Sequence, residues 1–349
     1  MGISLSNIFK KFPRGGLGQS IAIDLGTANV LFYLLGEGVV LNEPSYVAFN
    51  REKKEVLVGQ RAKELWGRTG SDMEVARPLK DGVITDSETT CLMLKTFSRL
   101  VMTQRRIVGP RFLVGVSSGI TNVEKKAVIE TAHMCGARSV DLVEEPMAAA
   151  IGCGLPVEDS RGVMVVDVGG GTTEVAIISM GAIACKTSVR VGGDKIDQAI
   201  VDYVRQKHGV GIGLIEAERI KMEIGAAYPT EDSAVINTTV SGRDLYSGGL
   251  KEITITQKEV AEAIKEPVDA VISAIRATFD HSTHELITDI AERGLTLTGG
   301  GALLTGLGEL IEQRLNIDVT IPREPLLSVV MGLGTILENI DQYKKLFVN

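Results

Sequence analysis

An α/β protein built from two related halves is predicted by three features of this 349-residue chain. Short buried-strand signals alternate with helical periodicities along nearly its whole length, as they do in sheets covered by helices. A strand–turn–strand unit occurs twice, in Ile21-Ala22-Ile23-Asp24-Leu25-Gly26-Thr27 and in Val163-Met164-Val165-Val166-Asp167-Val168-Gly169-Gly170-Gly171-Thr172-Thr173, and a repeat at domain scale implies two similar halves. The length also exceeds the roughly 100–200 residues of one domain, and 44% apolar residues suffice for a sizeable core.

The elements follow in order. Ile21 to Ile23 reads as a buried strand and Val30 to Leu35 as its neighbour. Val39 to Phe49 is strand-like but broken by Pro44, which has no N–H for a ladder. Helical periodicity covers 83–103 and 122–136, with a short buried strand over 112–116 between them. Residues 163–166 and 174–179 form the second strand pair. Helices are expected over 194–207, 214–227, 257–280 and 303–315. Gly209, Gly211 and Gly213 lie between two of these and read as a loop.

Several function classes are excluded. A net charge of -7 and the absence of a long basic run argue against nucleic-acid binding, which needs clustered Lys and Arg. Cys91, Cys135, Cys153 and Cys185 form no CxxC and are expected as reduced, buried thiols. His281 and His284 fit one helix face, but no third metal ligand accompanies them. No apolar run reaches the ~18 residues of a membrane span, and no secretory signal is visible. There is no G-x-x-x-x-G-K-[ST], nor a G-x-G-x-x-G after a strand.

The two repeated turns carry the chemistry. Glycine lets a backbone approach a ligand closely, and clustered backbone N–H groups form an anion nest. Thr27, Thr172 and Thr173 add hydroxyl donors. Asp24 and Asp167, at the strand ends, supply hard oxygens suited to Mg²⁺ or its waters. Taken singly, each turn is equally an ordinary hairpin, since Asp and Gly are common there; the matched pair favours phosphate. A third cluster, Thr298-Gly299-Gly300-Gly301-Ala302, follows the apolar Leu295 to Leu297 and suits close packing against a flat ligand.

With these residues in order, the chain resembles the actin–Hsp70–sugar kinase superfamily and, within it, the bacterial actins of the MreB/Mbl family. The resemblance runs from about Ser20 to Asp341. It is carried by IDLGTANV (23–30), VLNEPSYVA (40–48), RPLKDGVI (77–84), VEEPMAAAIG (143–152), VVDVGGGTTEVA (165–176), VRVGGDKID (189–197), AERIKMEIGAAYP (217–229) and RGLTLTGGGALL (293–304). It implies an actin-like ATPase fold: two RNase H-like α/β domains around a nucleotide cleft, each with a smaller subdomain. Domain I would be 19–154 plus 331–349, with a small subdomain near 46–76. Domain II would be 155–330, with one near 196–250.

The resemblance also implies roles. ATP or ADP with Mg²⁺ would lie against Asp24, Gly26, Thr27, Ala28 and Asn29 on one side and Gly169 to Thr173 with Gly193 on the other. Asp24 and Asp167 would face the metal. Glu145 would orient the attacking water on a helix leading into the crossover at Met147–Gly152, with Thr172 helping to place it. Glu218 and Lys221, on one helical face, would contact ribose and adenine, and Gly299, Gly300, Gly301 and Ala302 would line the adenine pocket. The second crossover, Val330 to Thr335, is less glycine-rich than the family pattern. Slow ATP hydrolysis is expected, coupled to assembly into paired antiparallel protofilaments on the inner face of the cell membrane, with RodZ, MreC, MreD and cell-wall synthesis factors as partners and no nucleic acid. A sugar kinase would need an acceptor pocket with a catalytic Asp, which the sequence does not reveal. A chaperone would need a peptide-binding domain, for which no room is expected.

Membrane contact has a separate signal. Residues 1–18 carry Lys10, Lys11 and Arg14 and no acid. On a helical wheel Leu5, Ile8, Phe9 and Phe12 share one side, as in an interfacial helix. Pro13, Gly15, Gly16 and Gly18 then form a joint to the folded part. Ile107 and Val108, flanked by Arg105, Arg106 and Arg111, match a hydrophobic loop that the family inserts into lipid; a buried pair is the competing reading.

Overall fold

The computed structural model describes residues 19–50, 55–70, 73–102 and 109–348. The first half runs through β1 (Ser20–Leu25), β2 (Asn29–Leu34), β3 (Gly38–Pro44), β4 (Val47–Asn50), β5 (Glu55–Val58), α1 (Gln60–Lys63), β6 (Glu74–Ala76), β7 (Leu79–Lys80), β8 (Val83–Ile84), α2 (Ser87–Val101), β9 (Arg111–Val116), α3 (Asn122–Met134), β10 (Ser139–Glu144) and α4 (Glu145–Gly152). The second begins with β11 (Val163–Val168), β12 (Thr173–Ser179), β13 (Ala182–Val189), α5 (Gly193–His208), β14 (Val210–Gly211), α6 (Leu214–Ile224), β15 (Asn237–Asp244), β16 (Leu250–Thr256), α7 (Gln257–Ala263) and α8 (Lys265–Asp280). It continues with α9 (His284–Arg293), β17 (Leu295–Thr298), α10 (Leu307–Leu315) and β18 (Val319–Thr320); α11 (Ser328–Glu338) and α12 (Ile340–Tyr343) close the chain.

Each half contains a five-stranded sheet, and the two sheets share one topology. Their orders are β10-β9-β1-β2-β3 and β18-β17-β11-β12-β13. In each, three antiparallel strands are extended by two parallel ones beside the first. The central strands are apolar on both faces because both faces are covered. On β1, Ile21, Ile23 and Leu25 face an outer core with Phe32, Phe97 and Phe112, while Ala22 faces inward. On β11, Met164, Val166 and Val168 face a second outer core, while Val163 and Val165 face inward.

Between the sheets lie α4 and α11, which share an inner core of small and branched residues. They cross backbone to backbone. A Cβ on Gly332 would stand 2.6 Å from the Ala148 carbonyl carbon, and one on Gly152 would stand 2.8 Å from the Gly332 nitrogen. Only glycine fits both positions. A Glu-Pro pair opens α4 (Glu145-Pro146) and another stands shortly before α11 (Glu324-Pro325), and each is followed by a Gly-x-Gly, beginning at Gly152 at the end of α4 and at Gly332 within α11. This second internal echo escaped the reading of the sequence. Smaller sheets, β5-β4-β6 and β14-β15-β16, flank the two large ones.

Several elements differ from expectation for local reasons. The helix expected over 83–103 starts at Ser87, because Asp86 caps it by accepting from the Thr89 amide at 3.0 Å. Val83 and Ile84 instead pair with Leu79 and Lys80 across a turn in which Asp81 and Gly82 are both left-handed. Val39 to Phe49 divides at Pro44 into β3 and β4, which join different sheets. The helix expected over 257–280 breaks at Ile264, and Pro267, with no N–H to extend a ladder, sits in the first turn of α8. Residues 300–303 form a 3₁₀ turn, and α10 begins only after left-handed Gly306. Val210-Gly211 is a strand rather than loop, through its ladder to Arg243 and Asp244. The β15–β16 hairpin was not foreseen. His281 caps α8 while His284 opens α9, so they share no helix face.

Candidate nucleotide cleft

The two repeated turns meet face to face. The first joins β1 to β2, with Asp24 paired to Leu31 in the ladder. Ser45 fixes it, donating Oγ to the Gly26 carbonyl at 2.6 Å and N–H to the Ala28 carbonyl at 2.8 Å. The second joins β11 to β12, closed by the Gly169 amide on the Thr172 carbonyl at 2.9 Å. A Cβ on Gly170 would stand 2.6 Å from that of Ala28, and one on Gly171 2.6 Å from Thr27 Oγ1. The glycines of one turn are thus required by the other. The left-handed Asp81-Gly82 turn is wedged beside them, with the Gly82 amide donating to Thr27 Oγ1 at 2.9 Å.

Asp24, Asp167 and Glu145, with Glu174 nearby, lie beneath the turns within electrostatic reach of one another. Burial, and after it the charge of Asp167, pushes Asp24 up to about 7; burial, and after it Glu174, pushes Asp167 up to about 7. Glu145, at the first position of α4, is raised well above the carboxylate range by burial and then by Asp24, Glu174 and Asp167. Gly115 on β9 packs beside it, where a Cβ would press first on Leu333 Cδ1 at 3.2 Å. Thr172 and Thr173 are buried, and Thr173 Oγ1 donates to the Val191 carbonyl at 2.7 Å. Such a group of crowded acids gains from a cation or from protons.

The other expected site residues have partners of their own. Asn29 is turned to Asn42 at 2.7 Å. Gly193 donates to the Gly169 carbonyl at 3.0 Å, tying the start of α5 to the second turn. Lys221 pairs with Asp197 at 2.8 Å and donates to the Gly193 carbonyl at 3.3 Å. Glu218 pairs with Lys63 of α1 at 2.6 Å, across the mouth between the halves. A cavity of about 480 Å³ opens there, lined by Lys63, Trp66, Glu218 and Met222. Gly299 and Gly301 press on the end of β11: a Cβ on either would stand 2.6 Å from an atom of Val168, so both hold the second turn in place. Ala302 is buried behind them, and Gly300 is partly open. Leu5, Ile8, Phe9, Phe12, Ile107 and Val108 lie outside the described residues.

Sequence reasoning missed Glu174. It lies one residue beyond the paired threonines and is 1% exposed. It accepts from Ser117 Oγ at 2.6 Å, Ser188 Oγ at 2.7 Å, the Ser118 amide at 3.2 Å and Ser118 Oγ. Because Ser117 and Ser118 follow β9, this carboxylate joins the two halves at the cleft floor. Its position at the end of VVDVGGGTTE was the available signal. Arg77, in RPLKDGVI, was likewise passed over.

Two five-stranded sheets of one topology, hinged on crossing helices and facing each other through paired Asp–Gly–Thr turns, define an actin-like nucleotide-binding protein. A profile of the MreB/Mbl protein family matches residues 18–345. The cell shape-determining protein MreB of Escherichia coli is 46% identical over 342 residues, covering 96% of this chain and 98% of that one. Mbl of Bacillus subtilis is 42% identical over 328 residues, covering 94% and 98%. The crystal structure of MreB 5 of Spiroplasma citri bound to AMPPNP superposes with a TM-score of 0.88 at 32% identity, covering 95% and 99%; the ADP-bound form gives 0.86 at 33%, covering 94% and 98%. The MamK double helical filament shares the fold, with a TM-score of 0.76 at 17% identity over 92% and 98%. The chain belongs to the MreB/Mbl family, the nucleotide-binding, filament-forming bacterial actins that determine cell shape. Among the described residues no helix is long and apolar enough to cross a membrane.

Proposed function

We propose that this chain is an ATP-hydrolysing cytoskeletal filament protein working on the inner face of the cell membrane. The observation that carries the proposal is the contact between the two phosphate-type turns, with Asp24, Asp167 and Glu145 gathered beneath them. The solved relatives from Spiroplasma citri hold ADP and AMPPNP, and the same turns here supply N–H groups and threonine hydroxyls for phosphates. Domain I is 19–154 with 331–349: Val348 donates to the Leu142 carbonyl at 3.0 Å, and Phe347 bridges to Val143, so the C-terminus packs on the first sheet. Domain II is 155–330. The small subdomains are near 46–76 and 196–250, around the minor sheets.

The residues fit Mg²⁺. Among the described residues no three acidic, His or Cys side chains converge on a metal, but Mg²⁺ commonly keeps its waters and takes only one or two carboxylates besides phosphate. Asp24 and Asp167 are such a pair, and the ion would offset the repulsion that raises their pKa. Phosphoryl transfer to water depends on positioning and charge neutralisation. The amides of Gly26 to Ala28 and of Gly170 to Thr172 would grip the phosphates, with the Gly169 amide closing the second turn. Glu145 accepts a hydrogen bond from the attacking water and aligns it, with Thr172 on the other side. Glu218 and Lys221 exchange their present partners for ribose and adenine beside Gly299 to Ala302.

Self-assembly into paired antiparallel protofilaments, inner-membrane lipids, and RodZ, MreC, MreD and cell-wall synthesis factors complete the proposed partners. The test is electron microscopy of purified protein on anionic lipid monolayers, with ATP and without nucleotide. ATP-dependent double filaments on the lipid support the reading; their absence across salt and protein concentrations refutes it.

A further inference from the structure

We infer that Arg77 is a cross-cleft clasp that sets how long nucleotide stays bound; the inference rests on the nucleotide reading above and assigns Arg77 a positioning role. Arg77 lies between β6 and β7, in the first half. Its Nη2 donates to both carboxylate oxygens of Asp194, at 2.8 and 3.0 Å, and to the Thr27 carbonyl at 3.2 Å. Thr27 belongs to the first phosphate turn. Asp194 is in the first turn of α5, and its amide donates to the Gly170 carbonyl of the second phosphate turn at 2.8 Å. One guanidinium nitrogen therefore links the backbone of both turns through a path of three hydrogen bonds.

The surroundings favour a latch over an incidental surface pair. The Arg77 and Asp194 side chains are only 18% and 31% exposed, so solvent screens them less than a surface pair. The guanidinium also lies 5.4 Å from the centre of the Tyr46 ring, within cation–π range. Its Nε is buried and unpartnered. A buried donor without an acceptor is costly, and here it sits beside two turns built to receive an anion. The Arg77 carbon stem stays with the first half while its head is held by the second, so separating the halves must break the bonds to Asp194. The Lys63–Glu218 pair spans the same mouth further out.

Nothing in this arrangement makes Arg77 contribute to the hydrolytic step. Its effect falls on the opening that precedes entry or release. Loss of either partner lets the turns part more often and shortens residence, while loss of the second partner adds nothing, because the bond is already gone.

The experiment measures release of a fluorescent N-methylanthraniloyl ADP with Mg²⁺ from the full chain by stopped flow. Wild type, Arg77→Ala, Arg77→Lys, Asp194→Asn and the double variant Arg77→Ala/Asp194→Asn are compared. Release about tenfold faster in each of Arg77→Ala and Asp194→Asn, no faster again in the double variant, and intermediate in Arg77→Lys is the expected result. Rates within about twofold of wild type, or effects that multiply in the double variant, overturn it. A wild type that does not bind the probe refutes the nucleotide reading instead. The clasp is then read by hydrogen exchange of the Gly82, Gly193 and Asp194 amides in nucleotide-free protein: faster exchange in both single variants supports it, and unchanged exchange overturns it.

Discussion

Replacing Gly332 by alanine sets two physical effects against each other. In an isolated helix the change is stabilising by ~1 kcal/mol, because alanine is the better helix former. In α11 the new Cβ would stand 2.6 Å from the Ala148 carbonyl carbon and 2.9 Å from the Gly152 nitrogen, with the Ala148 oxygen closer still. Ordinary contact begins near 3.4 Å, so α4 and α11 must separate by at least about 0.8 Å at their crossing. Neither neighbour is a side chain that can swing away. Overpacking of this kind costs ~1–3 kcal/mol, with backbone obstruction at the upper end. Less the helix gain, the net loss is ~2 kcal/mol. For a protein of 349 residues, whose unfolding entropy at ~2.1 cal/mol/K per residue sums to ~0.7 kcal/mol/K, that lowers the melting temperature by roughly 3 °C. Differential scanning calorimetry of Gly332→Ala against Gly70→Ala, whose Cβ would meet nothing within 4 Å, measures it. A Gly332→Ala protein that melts at or above the wild-type temperature would refute the backbone-to-backbone crossing.

Other outcomes follow from the site and from the N-terminus. Asp24 and Asp167 are raised from 3.8 to about 7, so in nucleotide-free, Mg²⁺-free protein the stability they provide is complete below pH ~4 and is lost as pH rises towards 7. Asp167→Asn should flatten that decline in melting temperature; equal slopes in the two proteins would count against the crowded carboxylates. Glu145→Ala should bind ATP yet lose about 10²-fold or more of its turnover, and unchanged phosphate release would remove Glu145 from its role. Deleting residues 2–12 should abolish co-sedimentation with anionic liposomes. Four apolar side chains at ~1.5–3 kcal/mol each on full burial, less the cost of ordering the backbone, bind weakly singly but tightly along a filament; persistent binding would point to another anchor.

The strands and phosphate turns were legible because they are local. A buried run ending in Asp and glycine reads the same in sequence and in space, and its recurrence disclosed two halves. The β15–β16 hairpin was not legible, since its inward positions include Thr238 and Val240 amid polar neighbours and its strand character comes from pairing. The break at Ile264 hid inside a continuous amphipathic pattern. Within the site, Asp24, Asp167, Glu145 and the glycines could be named from their motifs. Glu174, Arg77 and Asp194 could not be assigned roles, because each acquires its meaning from a partner at least 56 positions away.

The common strand order and the two helices crossing at glycine make the halves interdependent. Each half has an outer core of its own, but the inner faces cover each other: Ala22, Leu31 and Leu113 of one sheet and Val163, Val165 and Ala176 of the other share a single apolar layer with α4 and α11. The symmetry is incomplete: Glu145 lies in the cleft, whereas Glu324 of the second Glu-Pro pair is exposed. A side chain gained at either crossing glycine would pry the halves apart, because Gly152 and Gly332 each leave the space that the other helix occupies.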